Sequence, residues 1–400
     1  MTDTKTKKRL RLPLLLKILL GIILGIGFGC ITPMWGARLC ATFSAIFSQL
    51  LGFLVPLIIV GFVVPAIADI GKAAGKMLAV TALLAYAMTI MSGMFSYFTS
   101  DWLFPSVIKS EPALATVENV GGMTVESFFE VPIPPLMDIM TALILSFMIG
   151  LGIAIDGGRT LRNVFNDFRS IVGSAINGVV IPLLPIYIFS IFTDMTVCGE
   201  VATIMMAFLK IILIIFAMHI VLLVIQYCIA APFARKNPLV MLRTMLPAYF
   251  TALGTQSSAA TIPVTLRQTI KMGVTSEIAG FTVPLCATIH LSGSTLKIVA
   301  CAMALMIMQG IPYDMAMFAK FISILGITMI AAPGIPGGAI MAALGVLSSV
   351  LGFTDQQNAL MIALYIAMDS FGTACNVTGD GAIAAIVDRL YGKTRKTIVF

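Results

Sequence analysis

Apolar residues form long runs along this chain, and short polar or charged stretches separate the runs. A helix that crosses a bilayer needs about 20 mainly apolar residues, so each run predicts a membrane-spanning helix. The pattern therefore predicts an all-α integral membrane protein. In the first part of the chain the predicted spans are 12–34, 41–69, 77–100, 134–155, 170–193 and 201–231.

The charges between the runs predict the orientation of the spans, because Lys and Arg collect on the cytoplasmic side of a membrane. The stretch from Asp101 to Asp138 carries four glutamates against one lysine, which places it outside. Both termini are rich in basic residues, so we expect both to be cytoplasmic. The other basic connections contain Lys72, Lys76, Arg159, Arg162, Arg169, Arg235, Lys236 and Arg243.

A polar sequence interrupts the apolar segment between Arg243 and Arg267. Both ends are basic and should lie inside, yet about 23 residues are too few to cross twice at 1.5 Å per residue. The segment therefore predicts a re-entrant hairpin with its tip at 254–258. A second hairpin, entering from outside, is predicted between Asp314 and Asp355; two full crossings would give the same topology, but the uncharged break at 333–338 favours a tip inside the membrane.

Two further apolar segments accompany the hairpins. The first, 277–314, is interrupted by the polar sequence 290–294, and a last helix is predicted at 356–390. The total is eight transmembrane helices plus two re-entrant helical hairpins. Discontinuous helices in corresponding positions are the best sequence indication of a transporter's binding site, so we expect the site there.

The composition excludes a water-soluble globule. Hydrophobic residues make up 59% of the 400 residues and charged residues 11%, against roughly 45–50% and 25% in soluble domains. The net charge of +7 lies beside apolar segments, as membrane orientation requires, so we expect a lipid bilayer and no nucleic acid as partner. The seven cysteines lack paired or metal-binding spacing, which argues against disulfides and zinc.

The last predicted helix carries Asp369, Thr373, Asn376 and Asp380 at steps of four, three and four, so they share one face. Ionisable groups inside a membrane normally line a substrate or ion path, although Thr373 or Asn376 alone could serve helix packing. A carboxylate at Asp369 suits a substrate ammonium group, and Asn376 offers both a donor and an acceptor. Asp380 suits a hard cation such as Na⁺.

Helix amino termini, with their unpaired N–H groups and favourable dipole, bind anions. Ser257 and Ser258 lie where the first hairpin restarts, and 334–338 where the second one does. These positions suit a substrate carboxylate, so the whole arrangement fits a zwitterion.

These motifs together resemble the dicarboxylate/amino acid:cation symporter family, which includes the glutamate transporter homologues. The resemblance rests on the sequence Asn376–Asp380, the Ser257–Ser258 tip followed by Thr261–Thr265, and the sequence 334–337. It implies an elevator mechanism in a homotrimer in the inner (plasma) membrane. Scaffold helices would occupy 1–75 and 134–200, and a transport domain would occupy 76–133 and 201–400.

The resemblance also implies roles for individual residues. The substrate carboxylate would bind at Ser258 and around Ile335 and Gly337, with Asp369 holding the amino group. The remaining substrate contacts implied are Ser257, Ser294, Thr373 and Asn376. One sodium site would use Asp380 and Asn376 with the backbone near Cys286 and His290, and a second the backbone around Thr288 and Leu291.

Three departures from the family pattern bear on specificity. Members that carry acidic substrates have an arginine one residue before Thr373, where this chain has Gly372, and archaeal members have another at the hairpin tip, where it has Gln256. The seventh-helix signature of the family reads Asn-Met-Asp-Gly-Thr, whereas here 290–294 read His-Leu-Ser-Gly-Ser. The aspartate of a third sodium site is therefore absent.

Lys297 lies seven residues after His290, two turns along the same predicted helix. A lysine inside a membrane costs about 2.5–3.5 kcal/mol and should have a partner. It could replace a missing bound cation, reach a substrate carboxylate, or pair with carbonyls at the helix break. His290 could carry protons or be a structural residue.

We therefore expect a secondary symporter that takes up a small carboxylate-bearing solute, most simply a neutral or small polar amino acid, with Na⁺ or H⁺ and without an organic cofactor. The alternative within this class is a dicarboxylate or acidic amino acid held by Lys297. An ion channel is a second alternative, because re-entrant hairpins also build selectivity filters. An enzyme is not expected, since neither hairpin serine has a base nearby in sequence.

Overall fold

The computed structural model of the protein describes residues 14–72, 75–108, 125–199, 201–330, 332 and 337–391. This part of the chain is helical and contains no strand, which confirms the predicted all-α class. A π-helical turn, Ile176–Val180, joins α5 to α6. The helices are α1 (Leu14–Ile31), α2 (Met34–Lys72), α3 (Gly75–Ile108), α4 (Ile139–Asp156), α5 (Arg159–Ala175), α6 (Ile181–Val197), α7 (Val201–Ala234), α8 (Pro238–Thr255), α9 (Ser258–Lys271), α10 (Ser276–Ile289), α11 (Ser292–Met308), α12 (Met315–Ile330), α13 (Gly338–Leu351), α14 (Asp355–Ala367) and α15 (Asp369–Tyr391).

Short polar residues and glycines set several helix ends. The Asn237 side chain accepts hydrogen bonds from the first free N–H groups of α8. Thr354 and Gln357 form a reciprocal capping box at the start of α14, and Gly352, with φ 70°, ends α13 in the left-handed conformation. These residues satisfy backbone groups that helix ends leave unpaired.

Several helices can cross a bilayer. In the described part, five are long and apolar enough, and α14 with α15 passes the same test as a bent pair. Trp35 and Trp102 are 66% and 78% exposed, as a lipid-facing surface requires. The chain is thus a multi-pass membrane protein, while the count of eight spans stays a prediction. The five segments are Met34–Ala68, Lys76–Ile108, Arg159–Val197, Leu209–Ala234 and Ser276–Met308.

The prediction of one continuous helix at 356–390 is wrong. Two helices, α14 and α15, meet at Met368 and are bent by 64°. The carbonyl groups of Tyr365 and Met368 lie 3.4 and 3.5 Å from the buried Nζ of Lys297 at this bend. The break contains neither glycine nor proline, so the sequence pattern gave no sign of it.

Several predicted connections are also helical. Arg159, Arg162 and Arg169 lie in α5, which runs through the π turn into α6, and not in a loop. Arg243 and Arg267 lie within α8 and α9. An amphipathic helix can keep such charges on its polar face, so a basic residue does not mark a helix end by itself.

The two predicted hairpins appear as helix pairs. Helices α8 and α9 pack together across a turn of only Gln256 and Ser257, and α12 packs on α13. The break in the segment 277–314 is likewise shorter than predicted, since only His290 and Leu291 separate α10 from α11.

Helix α15 lies at the centre of one group of helices. It packs against α7, α8, α9, α10 and α11, and α3 covers α11 from another side. A second group consists of α1 with α6 and of α2 with α4, α5 and α6. The polar side chains described next all project into the group around α15.

Candidate functional site

Asp369 joins three helices at the bend of the last pair. It is the first residue of α15 and is 4% exposed. Its Oδ1 lies 2.9 Å from the Nζ of Lys297 on α11, and its Oδ2 accepts a hydrogen bond of 2.8 Å from the backbone N–H of Gly337, just before α13. The predicted ammonium partner therefore already has a protein cation and a hairpin N–H as partners.

Lys297 is enclosed on all sides, with no exposed surface. Besides Asp369, its ammonium group faces the carbonyls of Tyr365 and Met368 at 3.4 and 3.5 Å. Its Nζ also lies 3.3 Å from the centroid of the Tyr365 ring, in cation–π contact. Helix α14 ends here, and the carboxyl end of a helix favours positive charge. Lys297 thus meets a carboxylate, two carbonyls and a ring face.

Asn376 and Ser294 tie α15 to the start of α11. The Oδ1 of Asn376 accepts hydrogen bonds from the N–H groups of Gly293 and Ser294 at 2.7 and 3.3 Å, and its Nδ2 donates to the Ser294 hydroxyl at 3.1 Å. The Tyr365 hydroxyl donates to the same oxygen of Ser294 at 3.0 Å. Asn376 therefore caps the amino end of α11, and a continuous polar network connects it to Lys297 through Tyr365.

His290 and Asp380 form a second buried pair. The Nδ1 of His290 lies 2.9 Å from Oδ1 of Asp380, and both side chains are about 1% exposed. A Cβ at Gly379 would meet the Cε1 of His290 at 2.7 Å and the Oε1 of Gln226 at 2.6 Å, so this glycine admits both side chains. The Oε1 of Gln226 and the Nε2 of His290 have no hydrogen-bond partner among the described residues.

Helix α7 supplies three buried polar residues that the sequence reasoning missed. His219 Nε2 lies 3.0 Å from the Gly293 carbonyl, and Gln226 Nε2 donates to the Ser292 hydroxyl at 3.0 Å. The Tyr227 hydroxyl donates to the carbonyl of Thr378 at 2.7 Å. His219 and Gln226 are seven residues apart, and so on one face, in a mainly apolar helix, and that spacing could have indicated them.

The first hairpin tip also reaches α15. Ser257 caps α9 by accepting a hydrogen bond from the Ala260 N–H, and Ser258, the first residue of α9, is buried. The left-handed residue Gln256 donates from Nε2 to the hydroxyl of Ser370 at 2.9 Å. The amino end of α9 therefore lies beside the first turn of α15.

The remaining predicted residues lie in different surroundings. Cys286, Leu291 and Thr373 are buried. Thr288 is exposed, and its hydroxyl donates to the Leu285 carbonyl within α10. Ile335 lies outside the described residues, so nothing tests its predicted role.

Comparison with known proteins decides the family. The sequence profile of the sodium:dicarboxylate symporter family matches residues 14–390. The chain belongs to this family. The match covers the pairs Lys297–Asp369 and His290–Asp380 and the helix pairs α8–α9 and α12–α13, and it confirms the predicted membership. It also establishes a transporter rather than an enzyme.

This family member is similar to the serine/threonine transporter SstT of Acinetobacter baumannii. The protein from strain AYE is 27% identical over 393 residues, which cover 94% of this chain and 97% of that protein. The SstT protein from strain ATCC 17978 gives the same identity and coverage. The likeness extends over nearly the whole of both chains.

Membership in the family implies sodium coupling in general. A sodium site in this chain would need oxygen ligands among the buried polar side chains around α15. Sodium prefers oxygen ligands, and Asp380 with the partnerless Oε1 of Gln226 supplies such oxygens. However, one oxygen of Asp380 is paired with His290, and the oxygen of Asn376 accepts two backbone hydrogen bonds. The donor chemistry fits one sodium ion at the free side of Asp380, with Asn376 less available than the sequence suggested.

Proposed function

We propose that this protein is a cation-coupled symporter for small neutral amino acids that carry a hydroxyl group, such as serine and threonine. The observation that carries the proposal is the buried Asp369 carboxylate, which lies between the amino ends of α9 and α13 and has no guanidinium partner among the residues that the structure describes. The similarity to the serine/threonine transporter SstT supports the same substrate class.

Each part of a zwitterion has a partner in this arrangement. Asp369 accepts the ammonium group, because a carboxylate can accept about four hydrogen bonds and Lys297 and the Gly337 N–H occupy one position on each of its oxygens. Ser258 and Gly337 stand at helix amino ends, where the N–H groups and the dipole bind the substrate carboxylate. Thr373, one turn after Asp369, supplies a hydroxyl for the substrate side chain.

The surroundings of Lys297 favour a neutral side chain over an acidic one. An acidic substrate needs a cation for its second carboxylate, and Lys297 is the nearest candidate. Its ammonium group is fully buried and already faces Asp369 and two carbonyls. Gly372 and Gln256 supply no charge. A dicarboxylate or acidic amino acid is therefore the second candidate substrate.

Sodium at Asp380 is the proposed coupling ion, in keeping with the family. The hydrogen bond between His290 and Asp380 gives a reason to test protons as the second candidate. In either case one cation at this site moves inward with each substrate, and Asp380 holds it. No organic cofactor takes part.

The proposed mechanism moves the group of helices around α15 relative to the group formed by α1, α2 and α4–α6. The first group, with α3, is the transport domain and the second is the scaffold of a homotrimer. The helix pairs α8–α9 and α12–α13 act as re-entrant hairpins that close the site from opposite sides, within a fold of eight spans. Both termini are cytoplasmic.

Purified protein in liposomes tests the function. Uptake of labelled serine should be saturable, should follow an inward sodium gradient, and should be inhibited by excess threonine but not by a dicarboxylate. A proton gradient without sodium distinguishes the second coupling ion. Preferential uptake of a dicarboxylate would favour the alternative substrate, and an ohmic current without saturation would favour a channel. Lys320→Met, which changes an exposed lysine on α12, is a matched control for expression and reconstitution.

A further inference from the structure

The ammonium group of Lys297 lies in surroundings that have the chemistry of a monovalent-cation site. Its partners are a carboxylate oxygen of Asp369 at 2.9 Å, the carbonyl oxygens of Tyr365 and Met368, and the face of the Tyr365 ring. Backbone carbonyls at the carboxyl end of a broken helix are the groups that bind coupling cations in transporters. Carbonyl oxygens also replace the hydration shell of potassium in channels.

The fold leaves room for this ammonium group. Gly372, one turn along α15 from Asp369, would bring a Cβ to 2.8 Å from both Cε and Nζ of Lys297. Any side chain at residue 372 would therefore displace the ammonium. The helix break at Met368 turns two carbonyls toward the same point. Gly372, the two carbonyls at the end of α14 and the Asp369 carboxylate together accommodate one positive charge.

The contacts argue against two other roles for an intramembrane lysine, snorkelling and binding of a substrate carboxylate. Snorkelling requires a path to the membrane surface, whereas Lys297 has no exposed surface. Binding of a substrate carboxylate requires free N–H donors, whereas the ammonium group faces three protein oxygens and a ring. A buried carboxylate is costly without a partner, and Lys297 balances the charge of Asp369 from within the protein.

We infer that Lys297 is a built-in cation: its ammonium group fills a monovalent-cation site between α14 and α15, so that no dissolved cation is needed to balance Asp369. This inference goes beyond the proposed function and depends on the contacts of the pair rather than on transport. It follows that shortening Lys297 opens a site for a free cation with the size and coordination of ammonium, such as potassium or ammonium itself.

Cation binding to purified protein tests the inference. Lys297→Ala removes the ammonium and leaves space, whereas Lys297→Met removes the charge but keeps the space filled. The melting temperature of each variant is measured in sodium-free choline chloride with increasing potassium or ammonium chloride. Lys297→Ala should gain a saturable stabilisation with an apparent affinity at least tenfold higher than any response of the wild type. Lys297→Met and the surface control Lys320→Met should show no such gain.

The double variant Asp369→Asn/Lys297→Ala separates a specific site from a general salt effect. It lacks both charges, so it should fold and should lose the cation response. An unchanged response in folded Lys297→Ala would overturn the inference, as would a gain that persists in the double variant. If Lys297→Ala and Lys297→Ser fail to fold in every salt while the double variant folds, no free cation can replace the ammonium, and the inference is wrong. No substrate or transport enters the assay, so its failure would leave the proposed function unaffected.

Discussion

Gly372 and Lys297 occupy the same space from two sides, because a Cβ on residue 372 would lie 2.8 Å from the Cε and Nζ of Lys297. We expect Gly372→Ala to lower the stability by about 1–3 kcal/mol, as overpacking does. In the Lys297→Ala background the same glycine-to-alanine change should cost much less, because the added Cβ no longer meets the lysine side chain. The melting temperature of purified protein measures both effects.

Gly280→Ala is the control for this pair, since it makes the same change in helix α10 at a residue where a Cβ meets no atom within 4 Å. It should be neutral or slightly stabilising. Equal losses for Gly280→Ala and Gly372→Ala would mean that the close contact with Lys297 is not the cause.

The close contact between Gly372 and Lys297 also predicts how the substrate specificity can be changed from a neutral to an acidic amino acid. The resemblance to acidic-substrate members places an arginine at residue 372, and Lys297 leaves no space for one. In Lys297→Ala/Gly372→Arg the positive charge moves to α15, where a guanidinium can bind a second carboxylate in bidentate fashion. We expect competition by aspartate against labelled serine to improve about tenfold, the effect of one charge-assisted hydrogen bond of about 1.5 kcal/mol.

The single variants serve as the comparison for the switch. Gly372→Arg alone should misfold or lose activity, because the arginine and Lys297 would collide. Aspartate inhibition that is equally strong in Lys297→Ala would show that the loss of the lysine, and not the new arginine, changes specificity.

Much of the fold was predictable because membrane helices follow simple length and hydropathy rules. The broken segment at His290 and the turn at Gln256 were visible as polar residues inside apolar runs. The bend at Met368 was not, since Leu, Tyr, Ile and Ala precede it and neither glycine nor proline marks it, and the lysine that contacts its carbonyls lies some seventy residues earlier in the chain. Contacts between distant segments leave no local pattern.

The candidate site was predictable in its charged residues but not in its pairing. Asp369, Asp380 and Lys297 stood out because charge is rare inside the membrane. That Lys297 meets Asp369, and that His290 meets Asp380, depends on how α10 and α11 pack on α15. The spacing of these four residues in the sequence does not predict which of the helices pack against each other.

The ion pair between Lys297 and Asp369 determines how Asp369→Asn changes both serine uptake and stability. Asp369→Asn should abolish serine uptake, because the ammonium partner is lost, and should lower the stability by about 3–5 kcal/mol, because Lys297 is left as an unpaired buried charge. Asp369→Asn/Lys297→Met should regain thermal stability without regaining uptake. Melting curves and liposome uptake on the same preparations distinguish the two effects. Transport with normal serine affinity in the folded double variant would rule out Asp369 as the ammonium partner.

The pair His290–Asp380 predicts how sodium affinity can be raised. The imidazole takes one oxygen of Asp380 at 2.9 Å, and the family signature has asparagine at this position. We expect His290→Asn to release that oxygen, worth about 1 kcal/mol, and so to lower the half-saturating sodium concentration for serine uptake about fivefold. The serine concentration at half-maximal uptake, measured at saturating sodium, should stay within twofold and serves as the internal control. A weaker sodium dependence in His290→Asn, with uptake now insensitive to an imposed proton gradient that drives the wild type, would instead assign the coupling ion to a proton on this pair.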